Sequence, residues 1–118
     1  MNAALKGIIC TDVDPLESYV PNDPKSFGFS LELLIGPDGQ EGMESFQVTV
    51  CTPRWLEANH PPEDIILGRH YLIVFEFNYD RLLQRIEKYL RHCTGDTWQE
   101  VAEKVARLGW WEFEDYQP

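Results

Sequence analysis

The chain has 118 residues, of which 43% are hydrophobic and 13% aromatic, so it can bury a core and does not have the composition of a disordered chain. One domain of this length, over residues 1–118, needs neither a metal nor a disulfide to hold its core together. The formal net charge of -10 disfavours binding to nucleic acid or to an anionic membrane, and it either attracts a basic protein partner or only keeps the protein soluble.

The first half of the chain is predicted to form strands. Apolar residues indicate a first strand over residues 5–10, and a loop rich in Asp, Pro and Ser follows over residues 11–25. Alternation of apolar and polar residues predicts strands over residues 27–35 and 44–51. The Gly-Pro-Asp-Gly sequence at positions 36–39 is typical of a turn, so we expect an antiparallel hairpin with a long, flexible, acidic tip.

A short helix and a further strand are predicted next. Thr52 can cap a helix that begins at Pro53, in which Trp55 and Leu56 would point inward. A continuous apolar run within residues 69–77 predicts a strand that is covered on both faces.

Two amphipathic helices complete the predicted fold. Asn78 can cap the first, whose apolar residues recur at helical spacing as far as Cys93. Thr97 and Glu100 predict a capping box in the second, with the Glu100 carboxylate accepting a bond from the Thr97 N–H, and Gly109 is a candidate carboxyl-terminal cap. The order β-β-β-α-β-α-α predicts an α+β fold, with helices packed on a mostly antiparallel sheet of about four strands.

The cysteines and the absence of long apolar runs indicate the cellular compartment of the protein. Cys10, Cys51 and Cys93 are an odd number without a close pair, which predicts free thiols in a reducing environment. The amino terminus has no apolar run long enough for a signal peptide, and no stretch approaches the ~20 apolar residues of a membrane span. We therefore expect a cytoplasmic protein.

The sequence offers little catalytic apparatus. Its histidines and cysteines are not spaced like the ligand pairs of a zinc site, and the glycines at positions 36–42 lie in a hairpin rather than in a phosphate-binding turn. Cys51 and Cys93 fall at the ends of predicted core elements, where free cysteine usually acts as a small apolar group. We expect no enzyme activity, metal or cofactor, although a cysteine nucleophile paired with a distant histidine stays open.

Acidic residues collect in the two predicted loops and in the tail. Between residues 12 and 44 there are eight acids and the single base Lys25. In the tail, acids alternate with aromatic residues, which carry much of the binding energy at protein interfaces. The alternative is that Trp110 and Phe113 close the core while the acids are solvated. The candidate partner-binding residues are Asp12, Asp14, Glu17, Asp38, Glu41, Glu44, Trp111, Glu112, Glu114, Asp115 and Tyr116.

Basic residues form one stripe on the first long helix. Arg81, Arg85 and Lys88 recur at helical spacing. Such a stripe could bind RNA, but the net charge favours a solvated face that pairs with Glu87 or with the acidic loops.

Two sequence blocks carry most of a family resemblance: Cys-Thr-Pro-Arg-Trp-Leu at positions 51–56 and Trp-Glu-Phe-Glu-Asp-Tyr at positions 111–116. Further blocks occur in the same order, among them Leu-Glu-Ser-Tyr at 16–19, Gly-Arg-His at 68–70 and Thr-Trp-Gln-Glu-Val-Ala-Glu-Lys at 97–104. In these blocks, which extend over nearly the whole chain, the sequence resembles the immunity protein 8 family of bacterial polymorphic-toxin systems.

The resemblance implies an antidote that is made beside a secreted or contact-delivered toxin and protects the producing cell. Such a protein binds the cognate toxin domain, is not an enzyme and needs no cofactor. Many delivered toxins attack nucleic acid through basic clefts, so we expect the loops at 12–23 and 38–44, with the tail as a further candidate, to occlude a basic, nuclease-type toxin. An acidic adaptor or DNA-mimic binding module and a small cysteine-dependent enzyme stay open as alternatives.

Overall fold

The computed structural model describes residues 1–113, which form an α+β fold of the predicted kind. Four strands lie in the order β1-β2-β3-β4, and a fifth, β5, pairs with β3. The strands are β1 (Ala3–Ile9), β2 (Gly28–Pro37), β3 (Glu44–Cys51), β4 (Tyr71–Ile73) and β5 (Trp110–Trp111). The helices are α1 (Pro53–Asn59), α2 (Tyr79–Leu90) and α3 (Trp98–Val105), with a short 3₁₀ helix at Leu16–Ser18.

The predicted hairpin forms the centre of the sheet. β2 and β3 pair antiparallel, with Gly28 opposite Cys51 at one end and Ile35 opposite Glu44 at the other. The alternating pattern buries Leu31, Leu33 and Ile35 completely, because successive side chains of a strand point to opposite faces. β1 pairs antiparallel with β2 and begins two residues earlier than predicted, at Ala3.

Helices α2 and α3 close the core. Their buried residues join the inward side chains of β2 and β3 in one apolar cluster. These residues are Leu82, Ile86 and Leu90 of α2 and Val101, Ala102 and Val105 of α3. The predicted caps are present, since Asn78 accepts a bond from the N–H of Arg81 and Thr97 accepts one from the N–H of Glu100.

Helix α1 covers part of the other face of the sheet. Thr52 caps it as predicted, accepting a bond from the Trp55 N–H at 3.3 Å. Trp55 is half-buried over Gly28, where a Cβ atom would lie 2.3 Å from the indole ring. Leu56 is also half-buried, so the helix contributes no fully buried side chain.

The strand predicted within residues 69–77 is present as β4, but it is shorter than predicted and is not covered on both faces. β4 has only three residues, and within residues 1–113 it pairs, in parallel, with β3 alone. His70 has a φ of 66°, so the backbone bends just before the strand. Ile73 and Phe75 are exposed, because β4 lies at the edge of the sheet. An apolar run does not distinguish an edge strand from a central one.

Two details of the last helix differ from prediction. The Glu100 carboxylate accepts a bond from the N–H of Asp96, at 2.8 Å, rather than from that of Thr97. Gly109 does not cap α3 in a left-handed conformation. A Cβ atom there would lie 3.1 Å from the Gln47 carbonyl oxygen, so glycine instead permits the close approach that lets the unpredicted strand β5 pair with β3.

Candidate partner-binding surfaces

The candidate acidic residues lie at opposite ends of the sheet. The loop after β1 lies at the end where β2 begins, and the hairpin tip lies at the end where β2 finishes. β2 has ten residues, which at about 3.3 Å per residue separate the two ends by roughly 30 Å. The two loops therefore form two separate surfaces.

The first of these, the loop surface, consists of the exposed residues Asp12, Asp14 and Glu17. Asp12 has a structural partner, since its carboxylate accepts a bond from the N–H of Ser30 at 3.2 Å. Buried Leu16 anchors the 3₁₀ helix that carries Glu17. Asp14 and Glu17 are thus held outward on a loop that is fixed at both of these points.

The hairpin tip is anchored to β1. The ammonium group of Lys6 donates bonds to the carbonyl oxygens of Gln40 and Gly42, the latter at 2.9 Å. The N–H of Asp38 donates to the carbonyl oxygen of Asn2 at 2.8 Å. These bonds use the backbone of the tip, while the side chains of Asp38 and Glu41 stay exposed.

Trp111 is part of the core, contrary to its expected place in the binding surface. Its side chain is 4% exposed and stacks on Phe46, with ring centroids 6.0 Å apart. Its indole N–H donates to the carboxylate of Glu44 at 2.5 Å. Trp111 and Glu44 therefore tie the tail to the hairpin.

The neighbours of Trp111 are exposed beside the tip. From Trp111 the chain continues towards the Glu44 end of β3. There, the Phe113 ring packs edge-to-face with the Trp111 ring and is 42% exposed. Met43 is also exposed. Its sequence signal as a candidate contact is that it is an apolar residue within a polar turn. Together, Asp38, Glu41, Met43, Glu112 and Phe113 form the tip surface. The candidates Glu114, Asp115 and Tyr116 lie outside the described residues.

The family model of immunity protein 8 matches residues 3–116 of the chain. The protein belongs to the immunity protein 8 family. No curated protein and no solved structure matches the chain significantly. An immunity protein is one that binds a cognate toxin, so the exposed acids of this family member are candidates for toxin contacts.

Two of the three cysteines in this immunity protein 8 family member are poorly placed for catalysis. Cys51 and Cys93 are buried. Burial raises the pKa of both thiols, although Arg107 and Lys104 lower that of Cys93 in part. A protonated thiol is a weak nucleophile. Within residues 1–113, no group of three or more His, Cys, Asp and Glu could hold a metal ion.

One residue of the basic stripe on α2 has an acidic partner. Arg81 forms an ion pair with Glu76 at 3.0 Å, rather than with Glu87 or the acidic loops, and both side chains are exposed. An exposed pair of this kind adds little stability. In the described part of the immunity protein, no helix is both long and apolar enough to cross a membrane.

Proposed function

We propose that this protein, as a single domain over residues 1–118, neutralises a cognate toxin by binding it through the tip surface and covering a basic site. The observation that carries the proposal is the combination of exposed acids with exposed apolar side chains at the tip. Asp38, Glu41 and Glu112 supply negative charge, and Met43 and Phe113 supply apolar contact area. Interfaces commonly combine such anchors with charged neighbours that orient the partner.

The tip surface is also supported by bonds to other parts of the fold. Lys6 binds two carbonyl oxygens of the tip, and the Trp111–Glu44 bond fixes the start of the tail beside it. A surface that is already ordered loses less conformational entropy on binding. This support adds to the case for the tip surface as the toxin contact.

The proposed mechanism is electrostatic capture followed by occlusion. The net charge of -10 attracts a basic toxin at long range, and contact through Met43 and Phe113 then slows dissociation. The protein needs no catalysis and no cofactor for this role. We further propose that it acts in the cytoplasm of the producing bacterial cell, where its three free cysteines stay reduced.

Charge reversal tests the choice of surface. The variant Asp38→Lys with Glu41→Lys should associate with the toxin encoded beside it at least about tenfold more slowly at low ionic strength, because steering is lost. Glu44 is left unchanged because its carboxylate binds Trp111. The matched control, Asp14→Lys with Glu17→Lys, makes the same change of charge on the loop surface and should protect cells like the wild type.

The measurements are association rates by stopped flow and survival of cells that express the toxin. Slower association of the control, with an unaffected tip variant, would assign the contact to the loop surface instead. Capture of a cellular DNA-binding protein, rather than the toxin, would favour a DNA-mimic function and overturn the proposal.

A further inference from the structure

Strand β4 has an open side. The N–H of Thr49 donates to the carbonyl oxygen of His70 at 2.9 Å, and the N–H of Val74 donates to that of Cys51 at 2.8 Å. Because backbone groups of successive residues point to opposite sides of a strand, those of Tyr71 and Ile73 face away from β3. Within residues 1–113, no strand pairs with this side, and such an edge can receive a strand from another chain.

A groove runs beside this edge. It has a volume of about 420 Å³ and lies between β4, the segment that follows it, and the first turns of α2. Its floor includes the apolar residues Val50, Leu72 and Leu82. Lys25, Arg81 and Arg85 also line it, and Glu76 balances one of these charges through its ion pair with Arg81. The groove thus offers an apolar floor and an excess of positive charge in a strongly acidic protein.

The segment before β4 has the complementary chemistry. Glu63 and Asp64 are followed by three aliphatic residues, of which Ile65 and Leu67 are 92% and 91% exposed. Isolated exposed aliphatic side chains are ordinary, whereas three adjacent ones form an apolar patch that a partner can cover. One chain therefore carries both an acidic, aliphatic segment, which precedes β4 in the sequence, and a basic, apolar groove, which lies beside β4 and the residues that follow it.

We propose that this face pairs with a second copy of the chain across a two-fold axis, with the two β4 strands antiparallel. In that arrangement, the residues that precede β4 in one copy lie beside those that follow β4 in the other. Leu67 is four residues from Tyr71, a reach of up to ~14 Å, so the segment 63–67 can enter the groove of the partner. Its aliphatic side chains cover the floor, and its acids meet the basic lining.

Two observations favour a second copy as the occupant. In a two-fold pair, the segment 63–67 of each copy contacts the groove of the other copy. Both contacts are then satisfied within the dimer, so no further copies are added to form a filament. The basic toxin proposed above would instead meet the three cations of the groove. The groove lies at the Cys51 end of β3, opposite the tip, so the pair leaves both tip surfaces open to toxin.

Mass measurement tests the pairing directly. Sedimentation equilibrium of the wild type should show a concentration-dependent dimer. The variants Ile65→Ser with Leu67→Ser and Arg81→Glu with Arg85→Glu should each halve the mass without changing the circular dichroism spectrum, because all four side chains are on the surface or at the groove. Met43→Ser, which removes an exposed apolar residue at the opposite end, should keep the dimer.

A charge exchange tests whether the segment 63–67 of one copy contacts the groove of the other. The variant Glu63→Arg with Asp64→Arg should be monomeric, since its segment meets a groove of the same charge. Mixed with the variant Arg81→Glu and Arg85→Glu, it should form a heterodimer, because both contacts then join opposite charges. A monomeric wild type up to the solubility limit, or a dimer that withstands both double variants, would overturn the proposal. A monomer whose groove variant alone loses toxin binding would assign the groove to the toxin and overturn it equally.

Discussion

At the scale of single residues, the buried thiols of Cys51 and Cys93 predict a loss of stability at alkaline pH. Burial raises the pKa of both above that of the unfolded chain, which is about 8.5. The unfolded state therefore releases protons first, and the free energy of unfolding should fall as the pH rises beyond this value. The limit is about 1.4 kcal/mol per pH unit for each thiol.

Urea unfolding between pH of about 7 and 9, below the range in which tyrosine titrates, measures this slope. The variant Cys51→Ala with Cys93→Ala should be less stable at neutral pH but should lose most of the slope. A wild-type profile that stays flat, or a variant with the same slope, would show that these thiols do not account for the pH dependence. Cys10, which is only half-buried, should react first with an alkylating reagent in the native protein.

The two adjacent tryptophans show what the sequence leaves undetermined at this scale. Trp110 is 51% exposed and Trp111 is 4% exposed, because β5 turns them to opposite faces of the sheet. Alternation over two residues is too short to show which one faces inward. The composition of the tail indicated a role in the core or at an interface, and only its pairing with β3 decides that Trp111 takes the core position.

At the scale of elements, the contact between α1 and β2 predicts a strict requirement for glycine at position 28. A Cβ atom there would lie 2.3 Å from the indole ring of Trp55, and overpacking of this kind costs about 1–3 kcal/mol. Gly28→Ala should therefore lower the free energy of unfolding by an amount in that range, as measured by urea denaturation.

Gly7→Ala is the matched control on the neighbouring strand β1. Its Cβ atom would meet Leu34 Cδ1 at 3.3 Å, the end of a side chain that can move, so the loss should be smaller. Adding Trp55→Ala to Gly28→Ala should lower the cost of the glycine substitution. An equal cost with and without Trp55 would mean that the ring is not what excludes the methyl group.

Long elements were easier to predict than short ones, because their sequence patterns repeat over more residues. β2 and β3 have eight or more residues each, so their alternation specified both strand type and inward face. β4 has three residues and β5 has two, and their places depend on contacts with distant parts of the chain. The acidic residues lie in loops, as the sequence predicts, but β2 separates the two loops, and no local sequence pattern indicates that distance.

At the scale of the whole molecule, ionic strength should separate the two acidic surfaces in toxin binding. The screening length is ~10 Å at 0.1 M salt and ~30 Å at 0.01 M, whereas the length of β2 puts the surfaces roughly 30 Å apart. At the higher salt, charges on the loop surface are too distant to influence a toxin that approaches the tip. At the lower salt, both surfaces contribute to the attraction.

We therefore expect Asp14→Lys with Glu17→Lys to associate with toxin at the wild-type rate at 0.1 M salt but more slowly at 0.01 M. Asp38→Lys with Glu41→Lys should associate more slowly at both, and its rate should depend less steeply on salt than that of the wild type. Stopped-flow measurements over this range test the expectation. Equal slowing of the two variants at 0.1 M would mean that the toxin contacts both ends of the sheet, since charges beyond several screening lengths cannot otherwise affect the rate.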